Sequence, residues 1–327
     1  MGQDEIVTVI VTGAAGFIGM HLCQRLLDRG ETVIGVDDFN PYYDVSLKEA
    51  RAARLSARPG FELVRLDVAE AEAFEALTAR AKPGLIVHLA AQAGVRYSLE
   101  NPFAYERANV AGHLSVLEAC RRQGVAQLVY ASSSSVYGER ALNLEGFCET
   151  DPVDQPASLY AATKRSCELM SIAYSDLHGL SQTGLRFFTV YGPWGRPDMA
   201  YFSFAQKIMA GEAIDVFGEG QMARDFTYID DIIDGVEGVI AHPAAPAEHR
   251  LFNIGDSRPV GLMRMIEVLE QALGKSADKR MRPMQPGDVS ATFANVARLH
   301  ALCGYAPKIA LEDGLPRFVQ WFQAFAP

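Results

Sequence analysis

Up to about residue 190 the apolar residues of this chain fall into two alternating rhythms. Short unbroken runs rich in β-branched residues, such as Val9-Ile10-Val11 and Thr32-Val33-Ile34-Gly35-Val36, read as buried strands. Between them apolar residues recur at helical spacing, as at Phe17, Ile18, Leu22, Leu26 and Leu27. Further strand-like runs lie at 61–66, 84–89, 127–131 and 185–190. Helical stretches separate them: an alanine- and glutamate-rich one after Asp67-Val68, one around Asn109–Arg122, and one from about Ser158 to His178. Repeated strand–helix units predict an α/β fold, a doubly wound and mostly parallel sheet with helices on both faces. After Tyr191 the rhythm breaks at the turn-rich Gly192-Pro193-Trp194-Gly195-Arg196-Pro197. Asp231–Ile240 then reads as a helix, and Arg250–Ile254 as a strand that rejoins the sheet.

The sharpest local signal is the first strand–helix turn, Thr12-Gly13-Ala14-Ala15-Gly16-Phe17-Ile18-Gly19. Glycine at every third position permits a tight turn and lets a pyrophosphate lie on bare backbone, where helix N–H groups and the helix dipole favour negative charge. The second strand ends at Asp37, whose carboxylate can accept hydrogen bonds from both hydroxyls of an adenosine ribose and would repel a 2′-phosphate. No arginine or lysine stands between Thr32 and Asn40, so NAD is expected rather than NADP. The expected organisation is a Rossmann-type NAD-binding domain of residues 1–190 plus about 226–257. A smaller mixed α/β lobe of 191–225 and 258–327 would cover the strand ends. Segment 38–60 carries Tyr42-Tyr43 and then an arginine-rich helix; it reads either as a lid over adenosine or as a solvated helix without a chemical role.

Composition narrows the partners. The 327 residues are 49% apolar and 21% charged, with a net charge of −10 and no lysine/arginine cluster, which argues against nucleic acid. No apolar stretch approaches the ~20 residues of a membrane span, and the first strand begins too early to leave room for a signal peptide. Five cysteines (Cys23, Cys120, Cys148, Cys167, Cys303) lack C-x-x-C spacing, pointing to a reducing, cytoplasmic setting with no structural metal. The scattered histidines read as structural.

Two features carry chemistry. Tyr160-Ala161-Ala162-Thr163-Lys164 places a phenol and an ammonium one helical turn apart on one face. A free tyrosine, with a pKa near 10, is a poor base at neutral pH, and a nearby cation favours its phenolate. The strand at 127–131 runs directly into Ser132-Ser133-Ser134-Ser135, hydroxyls suited to a polyol at the end of a parallel strand, where such sheets bind ligands. A serine-rich turn capping the next helix is the alternative reading.

With the Gly13/Gly16/Gly19 turn, Leu89-Ala90-Ala91, Ser133, Tyr160, Lys164 and Arg224-Asp225-Phe226, the chain resembles, along nearly its whole length, the extended short-chain dehydrogenase/reductase family. These are NAD-dependent enzymes acting on nucleotide sugars. The resemblance implies Ser133, Tyr160 and Lys164 as catalytic residues, and Gly13, Gly16, Phe17, Ile18, Gly19, Asp37, Asn40, Asp67, Val68, Leu89, Ala90 and Ala91 as NAD contacts. It implies Arg224 on the substrate pyrophosphate, Phe217 on uracil and Asp288 on the uridine ribose. Dehydratase-like members carry Thr-Asp-Glu at the positions of Ser133-Ser134-Ser135, and decarboxylating members a glutamate at that of Ser135. Hydroxyls alone leave oxidation, turnover of the keto sugar and reduction, a 4-epimerisation. The stretch Asp38–Lys48, together with Thr189 and the segment 192–199, is similar to members that epimerise UDP-glucuronate to UDP-galacturonate. Ser133, Ser134, Ser135, Thr189, Arg196 and Arg96 are then candidate partners of the uronate carboxylate or a phosphate. A homodimer through the helices near 100–122 and 158–178 is also implied. A galactose-type 4-epimerase, a decarboxylase or 4,6-dehydratase on the same scaffold, and a non-catalytic NAD-sensing protein remain the alternatives.

Overall fold

The computed structural model describes residues 8–139, 145–284 and 291–325. Contacts divide them into two units: 1–136, 158–186 and 239–252 form the first, and 137–157, 187–238 and 253–327 the second.

The expected sheet organises the first unit. Its strands are β1 (Thr8–Thr12), β2 (Thr32–Asp37), β3 (Phe61–Arg65), β4 (Leu85–His88), β5 (Gln127–Ser133) and β6 (Gln182–Phe187), with β10 (His249–Ile254) at the edge. The order is β10-β6-β5-β4-β1-β2-β3. The pairings β3–β2, β2–β1, β1–β4 and β4–β5 are parallel, so these strands end along one side of the sheet. Strands buried on both faces have no polar side to show, hence the continuous apolar runs of β1, β2 and β4. Arg250–Ile254 does rejoin the sheet, as expected.

The helix Leu159–His178 starts at Ser158, whose Oγ accepts from the Ala161 N–H at 3.1 Å. The helix expected at 109–122 is built differently: a π-helical segment, Glu106–Ala111, precedes the α-helix Gly112–Gln123. Segment 38–60 is no solvated surface helix. Its helix, Val45–Ser56, buries Leu47, Lys48, Arg51, Ala52 and Leu55. Arg51 is 0% exposed and donates to the Ala15 carbonyl (3.1 Å) and to the Tyr43 hydroxyl (2.7 Å).

The strand read as 185–190 changes sheets. It ends at Phe187; the Phe188 N–H donates to the Ile254 carbonyl (3.1 Å), and β7 (Thr189–Tyr191) pairs with β9 (Ala223–Tyr228). β8 (Ile214–Phe217) lies between β7 and β9 in sequence. β9 also pairs with β11 (Pro259–Gly261) and β13 (Ala291–Thr292), while β12 (Lys279–Arg282) pairs with β8. Because β9 finds its partners in these strands, 226–238 groups with the second unit, where the sequence reading put it in the NAD-binding domain. Residues 137–157 follow suit: Tyr137 stacks on Phe147 and donates to Asn253 Oδ1 at 2.6 Å. In the same unit an aromatic cluster of Trp194, Phe202, Phe318, Trp321, Phe322 and Phe325 joins the 192–197 loop to the helix Leu311–Phe325.

Four of the seven histidines are held uncharged by burial. Burial pushes the imidazoles of His21 and His249 down to about 4, that of His88 to about 3, and that of His113 well below the ordinary value. Their unfolded-state pKa is near 6.5, so below that pH the unfolded chain takes up protons the folded one refuses. The stability these histidines contribute is therefore full above about pH 6.5 and declines as the pH falls toward 4, by about 1.4 kcal/mol per pH unit for each, and Asp256, raised to about 6 by burial, offsets about one proton's worth of that slope. Urea midpoints measured from pH 7 to 5 should show this slope, and His88→Gln should reduce it by about one proton's worth.

Candidate active site

The turn after β1 is closed by bare backbone. Gly13 has φ +72°, and a Cβ there would stand 2.8 Å from the Ala90 nitrogen. A Cβ on Gly19 would come within 2.0 Å of the Gly13 carbonyl oxygen. The Gly13 and Ala14 N–H groups both donate to the Val36 carbonyl, which ties the turn to β2. The helix that follows, Phe17–Asp28, begins at Gly16 with no capping side chain among the described residues and no acid in its first turn. Its first N–H groups have no partner within the helix, as a pyrophosphate requires.

Asp37 is buried, and its two oxygens accept the Ala15 N–H (3.0 Å) and the Phe39 N–H (2.9 Å). Burial raises its pKa, while Lys48, 4.0 Å away, and the two N–H groups act the other way. Lys48 Nζ also donates to the Asn40 carbonyl (2.8 Å), so the helix of the 38–60 segment braces the loop beside the ribose-type carboxylate. Asn40 Oδ1 accepts from the Tyr42 N–H. Asp67 accepts from the Ala69 N–H and from Arg107, and Val68 beside it is buried. At the end of β4, the Leu89 N–H donates to the Thr12 carbonyl and the Ala90 N–H to Thr12 Oγ1, which also bonds His88. The residues present thus fit a dinucleotide: a glycine cradle, an uncapped helix start, and a carboxylate at the end of the neighbouring strand.

The candidate reacting groups lie in the same unit. Ser133 is buried at the end of β5, and its Oγ accepts from Ser135 Oγ (2.9 Å) and the Ser135 N–H (3.2 Å). Tyr160 is half-buried in the first turn of its helix, edge-to-face with Tyr105 at 6.0 Å between ring centroids. The Tyr105 hydroxyl in turn donates to the Ala93 carbonyl (2.9 Å), within the stretch Ala91–Arg96. One turn on, Lys164 is buried and its Nζ donates to the Ala131 carbonyl at 2.9 Å.

Several supporting residues were not picked out from the sequence. Asn109, at the π-helical segment, accepts from the Gln92 N–H and donates to the Gln92 carbonyl and Thr163 Oγ1, fastening the 89–96 loop to the Tyr160 helix. π-Helical turns often mark functional sites, but sequence periodicity gives little notice of one. Glu168 and Arg186 form a buried ion pair behind Lys164; an arginine inside the apolar run Leu185–Phe188 was its one visible sign. Ser132, first of the four serines, faces this pair rather than a ligand, its Oγ donating to Glu168 Oε1 at 2.6 Å. Arg96 is exposed.

The second unit carries Thr189, Arg196, Phe217 and Arg224, all half-buried. Thr189 begins β7, opposite Phe226. Arg196 grips the Asp198 carboxylate with Nε (3.0 Å) and Nη2 (2.5 Å), in the loop anchored by Trp194. Phe217 ends β8 opposite Arg282, and Arg224 sits on β9 with Nη1 donating to the Ala223 carbonyl. Asp288 lies outside the described residues.

A parallel sheet with a glycine-closed dinucleotide turn, a serine at the end of a middle strand and a Tyr/Lys helix is the frame of an NAD-dependent enzyme of the short-chain dehydrogenase/reductase type. Residues 9–255 match the NAD dependent epimerase/dehydratase family, and the chain belongs to it. It is 46% identical to a probable UDP-glucuronate 4-epimerase of Rhizobium meliloti over 329 residues, 96% of each chain. With UDP-glucuronate 4-epimerase 4 of Arabidopsis thaliana it shares 45% over 335 residues, 98% of this chain and 76% of the other. Among solved structures, UDP-glucuronic acid 4-epimerase from Bacillus cereus in complex with UDP-glucuronic acid and NAD superposes with a TM-score of 0.90. The identity is 33%, and 97% of this chain and 99% of that one are covered.

Gly19→Ala drives a methyl into backbone. It should weaken NAD binding at least about 100-fold, about 2.7 kcal/mol, as measured by calorimetry on the stripped protein.

Proposed function

We propose that this protein is an isomerase that interconverts UDP-glucuronate and UDP-galacturonate through a 4-keto sugar, using bound NAD. The observation that carries the reading is the Ser133-Ser134-Ser135 run at the end of β5, beside the helix of Tyr160 and Lys164. Only hydroxyls stand where elimination of water or loss of carbon dioxide would need a carboxyl acid or base. The similarity to UDP-glucuronate 4-epimerases supports the choice of sugar.

Gly13, Gly16, Phe17, Ile18, Gly19, Asp37, Asn40, Asp67, Val68, Leu89, Ala90, Ala91, Tyr160 and Lys164 hold the cofactor in this reading. When bound, NAD supplies a reversible two-electron acceptor for the sugar's C4. Tyr160 Oη removes the proton of the 4-hydroxyl, with the Lys164 ammonium offsetting the charge that develops, and Ser133 Oγ hydrogen-bonds the reacting oxygen. The same phenol returns the proton after the keto sugar has turned over about its diphosphate linkage. Arg224 holds the diphosphate, Phe217 the uracil and Asp288 the uridine ribose. The 4-keto uronate is a β-keto acid and loses carbon dioxide if its carboxylate bond aligns with the ketone π system. Ser134, Ser135, Thr189, Arg196 and Arg96 supply, in this reading, the donors that hold that carboxylate out of alignment.

The first unit is the NAD-binding part in this reading, and the second carries the nucleotide sugar. A homodimer is supported by large apolar side chains exposed on the helices expected to pair: Phe103 (81%), Leu177 (74%), Leu99 (67%), Leu169 and Leu114. All five cysteines are free, in keeping with a cytoplasmic setting, and no helix among the described residues is long and apolar enough to cross a membrane.

Tyr160→Phe should retain NAD and UDP-glucuronate and lose at least about 10³-fold in kcat, within the usual range for removing a general base. Proton NMR of UDP-glucuronate incubated with the wild type should show UDP-galacturonate at equilibrium without standing NADH absorbance. A UDP-pentose product would overturn the assignment.

A further inference from the structure

Glu168 lies two turns beyond Tyr160 on the helix Leu159–His178 and is entirely buried, as is its partner Arg186 on β6. Its carboxylate is saturated. Oε1 accepts Ser132 Oγ (2.6 Å) and Arg186 Nε (2.8 Å), and Oε2 accepts Arg186 Nη2 (2.9 Å) and Arg165 Nη1 (2.9 Å). Four acceptances use the four lone-pair directions of a carboxylate, so the group cannot rotate without losing a bond. Burial works against the charge, yet the bonds and charge of Arg186, with Ser132 and Arg165, outweigh it and hold the carboxyl below its usual range.

A buried ion pair is seldom the cheapest way to fill a core; apolar residues of similar volume serve as well or better. What this pair does have is a particular place. Tyr160, Lys164 and Glu168 follow one another at four-residue steps on one helical face. Lys164 grips β5 at the Ala131 carbonyl, and Glu168 grips it at Ser132. Two successive turns of the helix are thereby locked to two successive residues of the strand, and the next strand residue is Ser133. Arg186, reaching in from the adjacent strand with a two-pronged bond, fixes the carboxylate that makes the second lock.

We propose that Glu168, held by Arg186 and acting through Ser132, is a positioning residue for the epimerisation. It sets the register between the strand end bearing Ser133 and the helix bearing Tyr160 and Lys164, so that both oxygens meet one sugar hydroxyl. This rests on the catalytic reading above. Mislocating a reacting group by an ångström costs rate rather than ground-state affinity, so the loss falls on kcat.

The test is a double-mutant cycle on the NAD-loaded enzyme with Ser132→Ala, Glu168→Gln and the pair, reading kcat, KM for UDP-glucuronate and thermal midpoint. Ser132→Ala removes one hydroxyl and should lower kcat about 10-fold with KM within about twofold. Glu168→Gln should lower kcat about 100-fold, and the double variant should be no slower than Glu168→Gln, because Ser132 acts through Glu168. Folded variants with kcat within twofold of wild type would overturn the proposal, as would losses that multiply. Should Glu168→Gln not fold, Ser132→Ala decides by the same criterion. A wild type that epimerises a different UDP-sugar overturns the substrate assignment alone, and the cycle then runs on that sugar.

Discussion

Two main chains meet at the end of β1 more closely than any side chain would permit, and the geometry of the first unit descends from that approach. Gly13 leaves room for the Ala90 nitrogen, and Gly19 leaves room for the Gly13 carbonyl. Thr12 Oγ1 bonds both His88 and the Ala90 N–H, while the Gly13 and Ala14 N–H groups reach the Val36 carbonyl. Three strand ends, β1, β2 and β4, are thus pinned at one point. Asp37 adds a fourth fixture by accepting the Ala15 N–H. That packing fixes where the helix Phe17–Asp28 starts, and its first N–H groups, uncapped by any side chain among the described residues, are the ones left for an anion.

Within each unit the chain buries charge, and each instance ties together segments that candidate site residues occupy. Arg51 fastens the 38–60 helix to Ala15 in the glycine turn. Glu168 and Arg186 fasten the Tyr160 helix to the serine strand. In the second unit Asp225 accepts Thr227 Oγ1 and the N–H groups of Asp256, Ser257 and Ala294, joining β9 to the loops that follow β10 and β13. Burial pushes the Asp225 carboxyl above its usual range, and those four bonds act against the rise. The neighbouring Arg224 therefore stands on a strand whose register is fixed on both sides. Hydrophobic packing would bury as much surface in each place, but it is non-directional and tolerates sliding. A charge with all its bonds made does not.

These fixtures also mark what could and could not be read from the chain. Period and motif placed the strands, the glycine turn, Asp37 at the end of β2 and Tyr160 and Lys164 one turn apart on a helix, because each placement depends on residues close in sequence. They gave the sheet's alternation correctly and its far edge at β10. They failed where tertiary partners decided. The strand at 182–191 breaks at Phe188 because the Ile254 carbonyl takes that N–H, and nothing in Leu185–Val190 announces it. The helix of 38–60 stayed open between a lid and a solvated helix, because the acceptors of Lys48 and Arg51 are a carbonyl in the glycine turn, a loop carbonyl and a tyrosine hydroxyl, residues that a helical wheel does not show. Segment 226–238 left the expected domain because β9 has partners from both earlier and later in the chain. Ser132 looked like its three neighbours in sequence, and only the position of Glu168 separates it from them.

The serine run bears on why hydroxyls suit the proposed chemistry. An epimerase must accept the same carbon in two configurations and stabilise the ketone between them, so its polar contacts face an alcohol at both ends of the path and a carbonyl in the middle. A carboxylate only accepts at neutral pH, and would have to be protonated to serve the carbonyl stage. A hydroxyl does both by turning about one bond. Ser133 and Ser135 bond each other at 2.9 Å, so either can reorient while the other keeps it partnered. Two small groups that exchange donor and acceptor roles without a change of charge give neither sugar face an advantage. In the proposed reaction, which has no net oxidation, the same pair of hydroxyls then meets the bound sugar in both configurations.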